Sequence, residues 1–123
     1  MKSILYLDDT TDQRNLVRMI LTAEGFRVDT AVDGEEGLKK VEQACPDLIL
    51  LDLGMPKIDG FEFLKLIKAD PNTQNIPIVV VSAWTSVHHR EAAIEAGASK
   101  FISKPYDLDI LTQTVREFFP IEP

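Results

Sequence analysis

Leu48, Ile49, Leu50 and Leu51 form an unbroken apolar run that stops on a carboxylate, Asp52. A short apolar run without polar alternation reads as a strand covered on both faces, the environment of a parallel sheet with helices above and below it. The pattern recurs: Ile4, Leu5, Tyr6 and Leu7 end on Asp8 and Asp9, and Ile78, Val79, Val80 and Val81 end on Ser82. Strands that need cover on both faces confine the chain to an α/β architecture. In open α/β sheets the carboxyl ends of the strands form the ligand crevice. Taken alone, Asp52 is equally readable as a solvated loop aspartate, because Met55-Pro56 and Asp59-Gly60 supply turn punctuation directly behind it.

The segments between these runs have helical spacing. Ser3 to Leu7 is the first strand, and Thr10 to Glu24 follows with Leu16, Val17, Ile20 and Leu21 on one face and Gly25 as its stop. Phe26 to Thr30 reads as a short strand with Phe26 and Val28 in alternation. Asp33 is placed as an N-cap with Glu36 completing a capping box, ahead of an apolar stripe of Leu38 and Val41. Phe61 to Ala69 is expected to bury Phe61, Leu64 and Ile67, and Asp70-Pro71-Asn72-Thr73 breaks it. Ser86 can cap a helix running to about Ala96, with Gly97 as its stop. Lys100 to Ser103 is a brief strand before Lys104-Pro105. Asp107 is placed as the cap of a last helix, with Leu108, Leu111, Val115 and Phe118 in one stripe and Pro120 ending it.

The order is βα repeated five times with short connections, which implies a parallel sheet with right-handed crossovers and helices on both faces. The expectation is a single domain over residues 1–123: a doubly wound, five-stranded sheet of order 2-1-3-4-5 flanked by five helices, the flavodoxin-like arrangement. The chain stops just after the fifth helix, so no output domain is expected within it; a stand-alone protein and a domain excised from a larger one would read alike.

A balance of 20 acidic against 13 basic residues, net charge −7, argues against a nucleic-acid surface and is compatible with a cation site. Cys45, the only cysteine, permits no intramolecular disulfide and is expected to pack at a helix-to-strand junction. No apolar run reaches the ~20 residues of a membrane span. The acidic residues in MKSILYLDDTTD interrupt any signal-peptide core. A soluble, cytoplasmic protein is expected.

In a parallel sheet Asp8, Asp9, Asp52, Ser82 and Lys104 would share one edge. Two carboxylates ~4 Å apart repel by roughly 4 kcal/mol at an effective dielectric near 20. Three in one pocket therefore demand raised pKa values or a bound cation. An all-oxygen site with few protein ligands suits Mg²⁺. With Lys104 it could neutralise a phosphoryl group, and Ser82 could hydrogen-bond one of its oxygens.

Four pieces in order, each after its own strand, carry a resemblance over essentially the whole chain: Asp8-Asp9, the DLGMPKIDG block from Asp52 to Gly60, VVVSA ending in Ser82-Ala83, and Lys104-Pro105. Together they resemble the receiver domain of two-component response regulators. The resemblance implies that Asp52 accepts a phosphoryl group from a histidine kinase or histidine phosphotransfer protein. Asp9 and Asp52 would ligate Mg²⁺, with Asp8 acting through water and the Gly54 carbonyl as a further ligand. Ser82, the Ala83 N–H and Lys104 would hold the phosphoryl oxygens. Ser82 and Phe101 would be the switch pair, and the bond before Pro105 would be cis, which is uncommon on base rates.

Phosphorylation adds about −1.5 to −2 charges at neutral pH. The resemblance implies that Ser82 moves toward it, that Phe101 turns inward, and that the face of the fourth helix, fifth strand and fifth helix changes for a downstream effector. It further implies a monomer or a phosphorylation-dependent dimer. Self-phosphotransfer and autodephosphorylation would be its only chemistry, with no separate enzymatic activity. Gly54 and Trp84 occupy the positions that would set the phosphoryl lifetime, Trp84 by shielding.

Two other readings share the acidic site. A Mg²⁺-dependent aspartyl phosphohydrolase would need a second acid two residues after its nucleophile, where this chain has Gly54. A degenerate, phosphorylation-independent receiver would lack a chemical residue, and none is missing. A flavin binder would need a hydroxyl-rich phosphate loop after the first strand, where this chain has Leu7-Asp8-Asp9. His88 and His89 are adjacent, point in different directions on a helix, and read as solvated surface.

Overall fold

The computed structural model describes residues 1–55, 58–83 and 87–119. Pro56, Trp84, Ser86 and Pro120, singled out above, lie outside them. Five strands alternate with five helices: β1 (Ser3–Leu7), α1 (Thr11–Ala23), β2 (Arg27–Ala31), α2 (Gly34–Gln43), β3 (Leu48–Leu51), α3 (Gly60–Ala69), β4 (Ile78–Ser82), α4 (Val87–Glu95), β5 (Lys100–Ser103) and α5 (Leu108–Phe118). The sheet is parallel throughout, in the expected order β2-β1-β3-β4-β5. No helix among the described residues is long and apolar enough to cross a membrane.

Strand pleating sends alternate residues to opposite faces, and two apolar clusters result. Leu5, Leu7, Ile49, Leu51, Ile78 and Val80 pack with Val41 of α2, Phe63, Leu64 and Ile67 of α3 and Ala93 of α4. Ile4, Tyr6, Leu48, Leu50, Val79 and Val81 pack with Val17 and Leu21 of α1 and Leu111 and Val115 of α5. β3 and β4 are buried at every position and β1 at all but Ser3, which is why their sequences show no alternation; the edge strands β2 and β5 are only partly covered.

Several local expectations need correction. The second strand begins at Arg27, because Ser3 to Leu7 pair with Arg27 to Ala31 in register. Phe26 lies outside the strand and is buried, its ring 5.7 Å from that of Phe119. In α3 the buried aromatic is Phe63 rather than Phe61; Phe61 is half-buried, with its ring 6.4 Å from that of His89. Leu16 and Leu108 are exposed, so the faces of α1 and α5 that meet the sheet are narrower than their apolar stripes. Cys45 is also exposed; Pro46 is the buried residue of that junction.

The helix ends follow the expected chemistry in most places. Asp33 Oδ1 accepts the Glu36 N–H at 2.8 Å, while Glu36 Oε1 accepts the Val32 N–H at 3.0 Å. Asp107 occupies the N-cap position of α5 but makes no side-chain cap bond; its carbonyl closes the turn by accepting the Ile110 N–H at 3.0 Å. Gly25 and Gly97 sit at φ 98° and 111°, the left-handed region that favours glycine after a helix.

Candidate functional site

The sheet ladder continues one residue past three strands, and this continuation builds the site. The Asp8 N–H donates to the Ala31 carbonyl at 3.1 Å, and the Asp52 N–H to the Leu7 carbonyl at 3.0 Å. The Lys104 N–H donates to the Ser82 carbonyl at 2.9 Å. Leu7 pairs with Leu51 and Ser82 with Ser103, so residues separated by up to 96 positions meet along one edge.

Asp8 is fully buried, Asp52 half-buried and Asp9 exposed. One carboxylate oxygen from each lies within 4.8 Å of the other two. Lys104 Nζ donates to Asp8 Oδ2 at 2.9 Å and to Asp52 Oδ2 at 3.3 Å. The Lys104-Pro105 peptide bond is cis, as expected. Asp52 Oδ1 accepts the Gly54 N–H at 3.1 Å, which ties the acid to the loop behind it. Gly60 permits that loop to approach α3: a Cβ there would stand 2.4 Å from Leu53 Cα and 2.7 Å from the Asp52 carbonyl oxygen.

Asp8 has more partners than its position in sequence suggests. Its Oδ1 accepts the Thr10 N–H at 2.9 Å, and its Oδ2 accepts the Tyr6 hydroxyl at 2.6 Å besides the lysine. Arg14 Nη1 donates to the Asp8 carbonyl at 2.8 Å. Burial pushes the Asp8 carboxyl up, but the hydrogen bonds from Tyr6, Lys104 and Thr10 outweigh it and hold the group below its ordinary value. Burial likewise pulls Lys104 down, and the two carboxylates reverse this and hold it above its ordinary value. Tyr6 is pushed far up, first by burial and then by its bond to Asp8.

The remaining candidates lie around this core. Ser82 is fully buried at the end of β4 and Ala83 follows it, exposed. Phe101 is half-buried on β5, with the Arg90 guanidinium 5.2 Å from its ring centroid; Arg90 also donates to Ser103 Oγ at 3.1 Å. A groove of about 340 Å³ beside the site is lined by Ala83, Lys104, Pro105 and Tyr106 together with Gln13 and Leu16 of α1. The Tyr106 hydroxyl is buried with no hydrogen-bond partner among the described residues.

Tyr6, Arg14 and Arg90 were not singled out from the sequence. For Tyr6 a signal existed, since a period of two puts it on the face of Asp8. For the arginines there was none, because a helix-surface cation reads as solvated.

The donor set fits Mg²⁺: three hard carboxylate oxygens converge, and no nitrogen or sulfur ligand is among them.

Comparison with known proteins agrees with this geometry. The family model described as "Response regulator receiver domain" matches residues 4–116. "Response regulator PleD" of Caulobacter vibrioides is 41% identical over 113 residues, covering 92% of this chain and 25% of that protein. "DNA-binding dual master transcriptional regulator RpaA" of a Synechocystis strain is 34% identical over 116 residues, covering 94% of this chain and 48% of that protein. The chain thus spans between a quarter and about half of these relatives. The solved structure of the chemotaxis protein CheY4 of Vibrio cholerae superposes with a TM-score of 0.90 at 31% identity, covering 96% of this chain and 98% of that one. A match that begins in β1 and ends in α5, over a sheet whose carboxyl edge gathers the acids and the lysine, places the chain in the response regulator receiver-domain family.

Proposed function

We propose that this receiver domain accepts a phosphoryl group on Asp52 and relays it as a change of surface. The observation that carries the reading is Lys104 Nζ bridging Asp8 and Asp52 inside a three-carboxylate cluster. The donor is a phosphohistidine of a histidine kinase or phosphotransfer protein. An Asp52 oxygen attacks phosphorus, the P–O bond forms as the P–N bond breaks, and the imidazole leaves with the electron pair.

Asp9 and Asp52, with the Gly54 carbonyl and with Asp8 through water, are the residues that would hold Mg²⁺. When bound, the ion supplies positive charge against the acids and the incoming phosphoryl oxygens. Lys104 turns to the phosphoryl oxygens, the Ala83 N–H and the Ser82 hydroxyl donate to them, and Phe101 follows Ser82. The output face is α4, β5 and α5, read by a downstream protein. The carboxylates repel nucleic acid and anionic cofactors alike, and the domain has no turnover chemistry beyond taking and losing its own phosphoryl group.

The test is intact-protein mass after incubation with Mg²⁺ and acetyl phosphate, beside Asp52→Asn. One phosphoryl on the wild type, lost with a chelator and absent from the variant, is the expected result. An adduct that persists in Asp52→Asn would overturn the assignment.

A further inference from the structure

We propose that Tyr6 is a positioning residue whose hydroxyl allows Lys104 to leave the buried Asp8 carboxylate when the neighbouring aspartate is modified. The inference rests on the phosphoacceptor reading above. Asp8 is fully buried and meets three donors: the Thr10 N–H at 2.9 Å on Oδ1, and the Tyr6 hydroxyl at 2.6 Å and Lys104 Nζ at 2.9 Å on Oδ2. Lys104 also reaches Asp52 Oδ2 at 3.3 Å, so one ammonium serves two acids.

Holding a phosphoryl group on Asp52 requires that ammonium to shift away from Asp8. A buried carboxylate that loses its cation is costly to leave uncompensated. With only the Thr10 amide left, Asp8 would hold the lysine back. The Tyr6 hydroxyl prevents this. It sits within the short range of hydrogen bonds to an ionised acceptor. Its ring is anchored in the apolar cluster on the α1 and α5 side of the sheet, and no part of it is exposed. It therefore stays on Oδ2 when the lysine moves.

Two effects of opposite sign follow from removing the hydroxyl. Asp8 then carries more unscreened negative charge, which strengthens Mg²⁺ binding before any phosphoryl group arrives. Lys104 is held more firmly on Asp8, which weakens binding of a phosphoryl analogue once Mg²⁺ is saturating. A tyrosine that merely fills space would move both affinities together, or neither.

The experiment is calorimetric titration of the full chain, wild type and Tyr6→Phe, first with Mg²⁺ alone and then with beryllofluoride at saturating Mg²⁺. The expected result for Tyr6→Phe is a Mg²⁺ affinity about threefold or more higher and a beryllofluoride affinity about tenfold lower, the scale of one hydrogen bond to a charged group. A second variant avoids any loss of packing. In a Tyr106→Phe background, which removes a hydroxyl with no partner among the described residues, monofluorotyrosine at Tyr6 makes a stronger donor of the same shape. It is expected to shift both affinities the other way.

Shifts in the same direction in Tyr6→Phe, or no response to the fluorinated donor, would overturn the inference while leaving the receiver reading intact. A wild type that binds no beryllofluoride would overturn both.

Discussion

Asp8 is fully buried, and this shapes the pH response of the whole site. Its folded carboxyl lies below the ordinary value of 3.8, so its contribution to stability is complete above that range and drains away as pH falls through the folded value. Tyr6 works at the other end. Its folded hydroxyl lies above 10.0, so its contribution is complete below that pH and is lost as pH rises beyond it. Thermal unfolding followed against pH should therefore lose its acid limb in part in Asp8→Asn and its alkaline limb in part in Tyr6→Phe; unchanged limbs would refute the assignment. With three carboxylates and one lysine at the cluster, Mg²⁺ at a hundred times its Kd should stabilise the fold by about 2.7 kcal/mol. A chelator should reverse this, and Asp9→Asn should shrink it. The acids and Lys104 were legible because a polar residue ending an apolar run is conspicuous. Tyr6 was less conspicuous: the period of two puts it on the face of Asp8, but an aromatic within a strand is what strands ordinarily contain.

Among the elements, the helix caps separate what sequence can and cannot express. Asp33 and Asp107 both look like caps, yet only Asp33 spends its side chain on a backbone N–H. Asp33→Ala should cost about 1 kcal/mol, and Asp107→Ala a few tenths at most, in denaturant melts of the two variants. Equal losses would show that the two caps do not differ. The phase of a helix is similarly hidden. Phe61 and Phe63 are two residues apart, and which of them turns inward is decided by how α3 meets the sheet, not by its own periodicity. β2 misled for a related reason. As an edge strand it has few buried residues, so Phe26, which packs beyond its end, supplied the apolar signal the strand itself lacks.

Across the whole molecule, the α/β architecture was readable because the three central strands carry unbroken apolar runs, and only helices on both faces satisfy that. The proposed output face was not readable in the same way, since α4 shows one buried residue and no pronounced apolar side. Phosphorylation-dependent protection of amides in β5 and α4, measured by hydrogen exchange, should appear in the wild type and vanish in Asp52→Ala; its persistence would sink the switching mechanism. The site also has a history within each molecule. Asp8 and Asp52 come from strands laid down early, whereas Lys104 is delivered by the last strand, through the pairing of Ser103 with Ser82. A chain emerging from a ribosome therefore assembles its acids before it owns the cation that balances them. Until β5 is in place Asp8 and Asp52 stand without Lys104, and the proposed acceptor site is complete only with nearly the whole fold.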